Sequence, residues 1–324
     1  MSEKIEGLDE LDSLLGGGKS NEKKVKIDTN IVIENDVENI SNSTFVVVDM
    51  NLLPGKKYYR TNTVIKIKKP ESIDIQKFLS IPDSGSYGGN LSGLYYLQVM
   101  EKLTELVKSC TKVFVNGVEI SNDCIKTDDL IPLSLLIKEL KYPNHDVKNA
   151  IKCDKCKKDD EYPVRLGKNK TLFLRDFEDD YEHLFNDEKK CYEFNINSII
   201  YEVAPSNIGI NATFIKEYLL PAYTKGGEIN VIFMAVYSLL KYKDYSITKK
   251  GIDEKLKEFE KSFDEEAMQV LYQFSQTLLI SKSDLKCNCS NCGSEIEDEF
   301  THLHSGFKSL FTNESALDKF KKKN

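Results

Sequence analysis

The sequence predicts an α+β chain: a β-ribbon with helices, a cysteine-knuckle (zinc-ribbon-like) β segment, and a helical C-terminal region. Three observations carry that prediction. Apolar residues alternate with period two along Tyr59–Lys68, and short strand-like runs follow at Val113–Ile120, Tyr162–Phe173 and Tyr192–Val203. Helical spacing governs Leu91–Cys110, Leu130–Leu140 and most of 212–280. Two Cys-x-x-Cys pairs, Cys153/Cys156 and Cys289/Cys292, stand beside strand-like segments.

Residues 1–42 read as a flexible tail, in which a short amphipathic run (Leu8, Leu11, Leu14, Leu15) stops at Gly16-Gly17-Gly18. The α+β region 43–150 begins with a strand at Thr44–Asp49 and a turn at Leu53-Pro54-Gly55-Lys56. Tyr59–Lys68 buries Ile65 and Ile67 on one face and pairs with the first strand as a ribbon. A helix follows Pro70, and a polar Gly-rich loop, Pro82–Asn90, interrupts. Leu91–Cys110 is a helix with Leu94, Leu97, Met100, Leu103 and Val107 on its apolar face. Val113–Ile120 turns at Asn116-Gly117, a pair that accepts positive φ. Thr127-Asp128-Asp129 offers N-cap chemistry to Leu130–Leu140, and Pro132 falls in the first turn, where no intrahelical donor is lost.

The region 151–311 opens with Cys153–Cys156 between extended segments. Tyr162–Phe173 reads as a strand pair turning at Gly167-Lys168-Asn169. An acidic stretch, Asp176–Asp187, precedes a second strand pair at Tyr192–Val203, turning near Asn197. After Pro205 the spacing predicts helices at about 212–222, 227–242, 250–261 and 264–280. A second knuckle, an acidic strand-like segment and Phe307, Leu310 and Phe311 close the region, and 312–324 is a basic tail.

Acidic residues outnumber basic ones, 52 against 45, for a net charge of −7. That balance argues against a general nucleic-acid binder, which needs surplus Lys and Arg to displace counterions from phosphate. No apolar run approaches the roughly 20 residues a membrane-spanning helix needs, and Met1–Asp12 lacks a signal-peptide layout. A soluble, cytoplasmic protein is the expectation.

The cysteines carry the clearest chemistry. Eight thiols in a chain with no export signal are not a disulfide framework. In a Cys-x-x-Cys knuckle a tight turn aims two thiolates at one ion, and Gly293 tolerates the backbone such a turn requires. Cys153, Cys156, Cys289 and Cys292 together supply the four sulfurs of a tetrahedral structural zinc. The long intervening segment is no obstacle, because loop closure costs grow only logarithmically with length. Three alternatives stay open: a local site of the second pair with His302 or His304, Cys287 in place of Cys289, and reduced thiols holding no metal. Neither pair opens a helix after a strand, so a thioredoxin-like role is not indicated.

Catalytic signatures are missing. Gly18-Lys19-Ser20 imitates the end of a P-loop, but Ser13 stands where its first Gly belongs. His145, His183, His302 and His304 form no His-Glu-x-x-His, and Glu178-Asp179-Asp180 reads as a solvated face. The expectation is that the chain is not an enzyme.

The order of these features resembles the baseplate hub assembly chaperones of contractile-tailed, T-even-type phages, also called tail assembly chaperones. The resemblance runs over about 45–311. It comprises the Leu53–Tyr59 turn with the Val64–Lys68 strand, the Leu91–Cys110 helix and the Cys110–Cys124 segment. The Asp128-led helix, the Cys153–Cys156 knuckle opening a strand, the Cys289–Gly293 knuckle and the Phe307/Phe311 finish complete it. Lys138 stands where the family has Arg, and Tyr142-Pro143-Asn144 where it has an aromatic-Gly turn. The resemblance implies a non-enzymatic factor that binds baseplate hub or tail proteins in the cytoplasm of the infected host. Such a factor either leaves before maturation or stays as a minor component of the virion baseplate. The polar segments 82–93 and 176–187 are the expected partner contacts. The competing readings are a zinc-ribbon regulatory or nucleic-acid-binding protein, and a metalloenzyme with an open coordination position.

Overall fold

The computed structural model describes residues 44–81, 92–143, 147–166, 172–174, 181–240, 247–278 and 283–299. Both tails, the segment Pro82–Asn90 expected as a loop, Gly167–Asn169 expected as a turn, residues 175–180, His145, His302, His304, Phe307 and Phe311 lie outside them. Within the described residues the chain is a mixed α+β protein with several small antiparallel sheets.

The first sheet grows from the ribbon that the period-two pattern predicts. Strands β1 (Val46–Val47) and β2 (Thr63–Ile67) pair antiparallel, Val46 opposite Ile67, with Ile65 and Ile67 turned into the core. Helices α1 (Ser72–Leu79) and α2 (Ser92–Cys110) follow, and α2 runs straight into β3 (Thr111–Val115), which pairs with β2. Asn116 (φ 51°) and Gly117 (φ 82°) turn β3 into β4 (Val118–Ile120), two successive left-handed residues of the kind that match the twist of a hairpin. Helix α3 (Leu130–Lys141) packs on α2 and buries Leu130, Leu133, Leu136, Ile137 and Leu140.

The expected cap of α3 is corrected by the structure. Asp129 occupies the N-cap position but its side chain makes no cap bond. Its carboxylate instead accepts the Gly55 amide at 2.7 Å and the Tyr59 hydroxyl at 2.6 Å, gripping the single-turn helix Pro54–Tyr58. Two buried donors, one from that turn and one from the residue that ends it, compete with the helix end for the same oxygens. Gly55 has to be glycine here, since a Cβ would sit 2.4 Å from Asp129 Oδ2.

Strands β5 (Val147–Lys152) and β6 (Asp159–Val164) form a hairpin around the first knuckle. The strand pair expected within Tyr162–Phe173 is therefore absent among the described residues. The partner of β6 is β5, and β7 (Leu172–Leu174) pairs elsewhere. A meander of β8 (Phe185–Asn186), β9 (Cys191–Ile196) and β10 (Ile199–Val203) comes next, with Asn197 (φ 49°) and Ser198 (φ 66°) at its turn.

The helices after Pro205 are α4 (Ile208–Phe214), α5 (Leu220–Lys225), α6 (Val231–Leu239), α7 (Lys249–Ser262) and α8 (Glu265–Leu278). A π turn, Ile215–Leu219, joins α4 to α5 just ahead of Pro221, whose missing N–H removes one α-helical donor there. Strands β11 (Ser283–Asn288) and β12 (Glu295–Glu299) pair around the second knuckle, and β7 joins the outer side of β11.

Two apolar clusters fill this framework. One gathers β2, α1, α2 and α3 with Ile151, Tyr162, Val164, Cys153, Cys289 and Ile296 from the knuckle hairpins. The other is aromatic: Phe274 of α8 meets Phe194 at 4.7 Å, Tyr192 at 5.0 Å and Tyr181 at 5.1 Å between ring centroids. Helix α4 serves both clusters, giving Ile208 to the first and Ile210 and Phe214 to the second. Lys57 adds a second link, its ammonium 4.2 Å from the centre of the Phe185 ring and paired with Glu182. No helix among the described residues is long and apolar enough to cross a membrane.

Candidate metal centre

The two knuckles are built alike, bond for bond. In the first, the Cys153 amide donates to the Lys158 carbonyl at 2.9 Å and the Lys157 amide to the Cys153 carbonyl at 2.8 Å. In the second, the Cys289 amide donates to the Ser294 carbonyl at 2.8 Å and the Gly293 amide to the Cys289 carbonyl at 2.9 Å. The residue after the second cysteine is left-handed in both, Lys157 at φ 59° and Gly293 at φ 70°. Each hairpin therefore bends its tip so that both cysteines of the pair face one way. Only the second knuckle announces this in its sequence, through Gly293.

The tips meet. Cys153 Sγ lies 3.7 Å from Cys292 Sγ, and Cys156 Sγ lies 3.7 Å from Cys289 Sγ. All four sulfurs fall within 4.8 Å of one another. A tetrahedron with zinc–sulfur bonds of about 2.3 Å has edges of about 3.8 Å, so the cross-knuckle pairs match a zinc tetrathiolate and are far too long for disulfides. The donor set is soft and tetrahedral, which fits zinc and does not fit oxygen-seeking magnesium or calcium.

The surroundings favour negative sulfur at Cys153 and Cys289, whereas at Cys156 the bond from the Lys158 backbone is outweighed by burial and the neighbouring sulfurs, which push the thiol up. The Ser294 hydroxyl sits 3.0 Å from Cys292 Sγ and 3.4 Å from Cys153 Sγ, and its hydrogen bond is the main cause that pulls the Cys153 thiol down to about 6. Lys158 donates from Nζ to Asn291 Oδ1 at 2.8 Å, and Ser290 hydrogen-bonds Asp160, tying one hairpin tip to the other. Cys153 and Cys289 are buried against the first apolar cluster, Cys156 is half-buried and Cys292 is exposed. Ser294 and Tyr162 carry no signal beyond their distance from the cysteines, and the sequence pattern passes over both.

The structure brings together the four cysteines singled out from spacing. Cys287 stands opposite Ile296 in the β11–β12 pair, half-buried, with its thiol pushed up by burial. His302 and His304 lie outside the described residues. Cys110 is a core residue whose thiol burial raises to about 11, and such a thiol is inert. Comparison of the chain with protein-family models, with curated proteins and with solved structures returns no match.

Proposed function

We propose that the chain is a non-enzymatic assembly factor that works by binding other proteins, its form held by one structural zinc ion on Cys153, Cys156, Cys289 and Cys292. The observation that carries the reading is the convergence of four thiols from two hairpins about 130 residues apart in sequence. Four thiolates complete a tetrahedral shell and leave no position for a substrate or an activated water, so the ion would serve architecture and not chemistry. The resemblance to the baseplate hub assembly chaperones supplies the biological setting: the hub or tail of a contractile-tailed phage, built in the cytoplasm of its host.

Two measurements test the reading in sequence. Full-length protein produced with zinc and passed through native mass spectrometry should carry one zinc ion per chain. A metal-free chain with a native fold would remove the staple. Quantitative mass spectrometry of infected-cell lysate and of purified virions then tests the setting. Abundance in lysate with absence from particles identifies a chaperone, a fixed copy number in particles identifies a baseplate component, and absence from both overturns the assignment to phage assembly.

A further inference from the structure

Beside the sulfur cluster, the hairpin tips border a half-open cavity of about 350 Å³ lined by Tyr162, Cys289, Ser290 and Asp160 among others. Tyr162 projects from β6 and is 4% exposed. Its hydroxyl is fully buried and forms no well-shaped hydrogen bond. A buried hydroxyl without a partner is costly, and a phenylalanine would fill the same space without that cost. The hydroxyl nevertheless faces three groups, the Cys289 sulfur and the hydroxyl and backbone amide of Ser290. The amide can only donate, so it can serve the phenolic oxygen and leaves the phenolic hydrogen for an acceptor. The Ser290 hydroxyl donates its own hydrogen to Asp160, which leaves its oxygen as a neutral acceptor. The Cys289 sulfur is the other acceptor, lining the same cavity, and as a thiolate it outcompetes the neutral Ser290 oxygen for the phenolic hydrogen.

Resting on the metal reading above, we propose that Tyr162 is a positioning residue of the metal centre, donating its hydroxyl hydrogen to the Cys289 thiolate once the ion is bound. The bond holds that ligand in place and draws off part of its charge. A zinc tetrathiolate carries two net negative charges, and outer donors of this kind spread them into the protein. On the opposite side the Ser294 hydroxyl lies within reach of both Cys153 and Cys292, with one hydrogen to give to either sulfur.

The test is cobalt substitution in the full-length chain, wild type against Tyr162→Phe. If the hydroxyl donates to sulfur, the variant still binds one Co²⁺ in tetrahedral geometry. Its sulfur-to-cobalt charge-transfer band moves to lower energy, because an unbonded thiolate gives up an electron more easily. Zinc affinity, read by chelator competition, falls about 10- to 100-fold, the usual range for loss of an outer hydrogen bond. An unmoved band with equal or tighter zinc binding overturns the proposal and leaves Tyr162 as a packing residue. Wild-type protein that binds neither metal overturns the metal reading itself, and that result is distinct from an unmoved band in a loaded chain. Should Tyr162→Phe fail to fold, 3-fluorotyrosine at position 162 keeps the ring and strengthens the donor. The band then has to move to higher energy, and no movement again overturns the proposal.

Discussion

Tyr59 stands in the middle of a buried relay. The Lys126 amide donates to its oxygen at 2.8 Å, and its own hydroxyl donates to Asp129 Oδ2 at 2.6 Å. Burial raises the Asp129 carboxyl to about 6, and the bonds from Tyr59 and Gly55 keep it from rising further. Tyr59→Phe strands the Lys126 amide and removes one donor from the carboxylate. The expected loss is about 1–3 kcal/mol in urea denaturation. The pH dependence has a definite sign. A carboxyl raised in the folded state binds a proton that the unfolded chain releases, so its stabilisation is lost as pH rises through the folded value. Tyr59→Phe raises that value again, so its penalty is larger at pH 8 than at pH 5. Equal penalties at the two pH values would show that the hydroxyl does not act on the carboxylate. Lys157 presents a different backbone question. Its left-handed φ costs a side-chain-bearing residue about 1–2 kcal/mol, whereas glycine there loses roughly 0.5–1 kcal/mol in added chain entropy. Lys157→Gly should therefore raise the stability of the loaded protein by about 0.5–1 kcal/mol. Gly293→Ala should lower it by about 1 kcal/mol, although a Cβ there meets no neighbouring atom. Opposite signs at two matched positions are the check on this account.

Elements whose pattern is closed locally were legible in the sequence, and elements completed from afar were not. The β9–β10 turn at Asn197, the β3–β4 turn at Asn116-Gly117 and both knuckles are set by a few adjacent residues, and all stand where the pattern places them. Leu172 and Leu174 mark β7 as a strand but say nothing of its partner, which arrives from Ser283–Leu285 more than 100 residues later. The tight turn at Cys153–Cys156 gives β6 a neighbour in β5 before any distant strand can compete. Asp129 misleads for a related reason: an acid ahead of an apolar helix looks like a cap, and only the fold brings Gly55 and Tyr59 to it. Of the metal centre the four sulfurs were readable and the hydroxyls around them were not, because Tyr162 and Ser294 have no motif of their own. Helix α8 shows how much one element can carry. Phe274 meets three rings of the aromatic cluster edge-on, an arrangement favoured by ring quadrupoles. Phe274→Ala should cost about 3–5 kcal/mol in thermal or urea unfolding. A loss below about 1 kcal/mol would mean that the cluster closes over the gap.

Across the whole molecule the two apolar clusters would depend unequally on an ion held by the four cysteines. The first contains Cys153 and Cys289 themselves, with Ile151, Tyr162, Val164 and Ile296 from the hairpins that carry them. The second, from Tyr192 to Phe274, contains none of these residues. A cross-link closing a loop on the order of 100 residues lowers unfolded-state entropy by the equivalent of about 4–5 kcal/mol. Zinc bridging the knuckles would act as such a link, with its coordination energy added. Without the ion, four thiols at the hairpin tips have only weak attractions to replace it, while the backbone pairing of β5 with β6 and of β11 with β12 remains. Chelation should therefore loosen the molecule from the knuckles inward. In hydrogen–deuterium exchange, amides of β5, β6, β11 and β12 should lose protection on metal removal and regain it when zinc is returned. Amides around Val236 in α6 and Phe274 in α8 should keep theirs, since their packing is complete within the aromatic cluster. Loss of protection in both clusters together would show that α4 and Lys57 couple them into one cooperative unit. Unchanged exchange at the hairpins would show that the sulfur cluster contributes nothing to holding the two knuckles together.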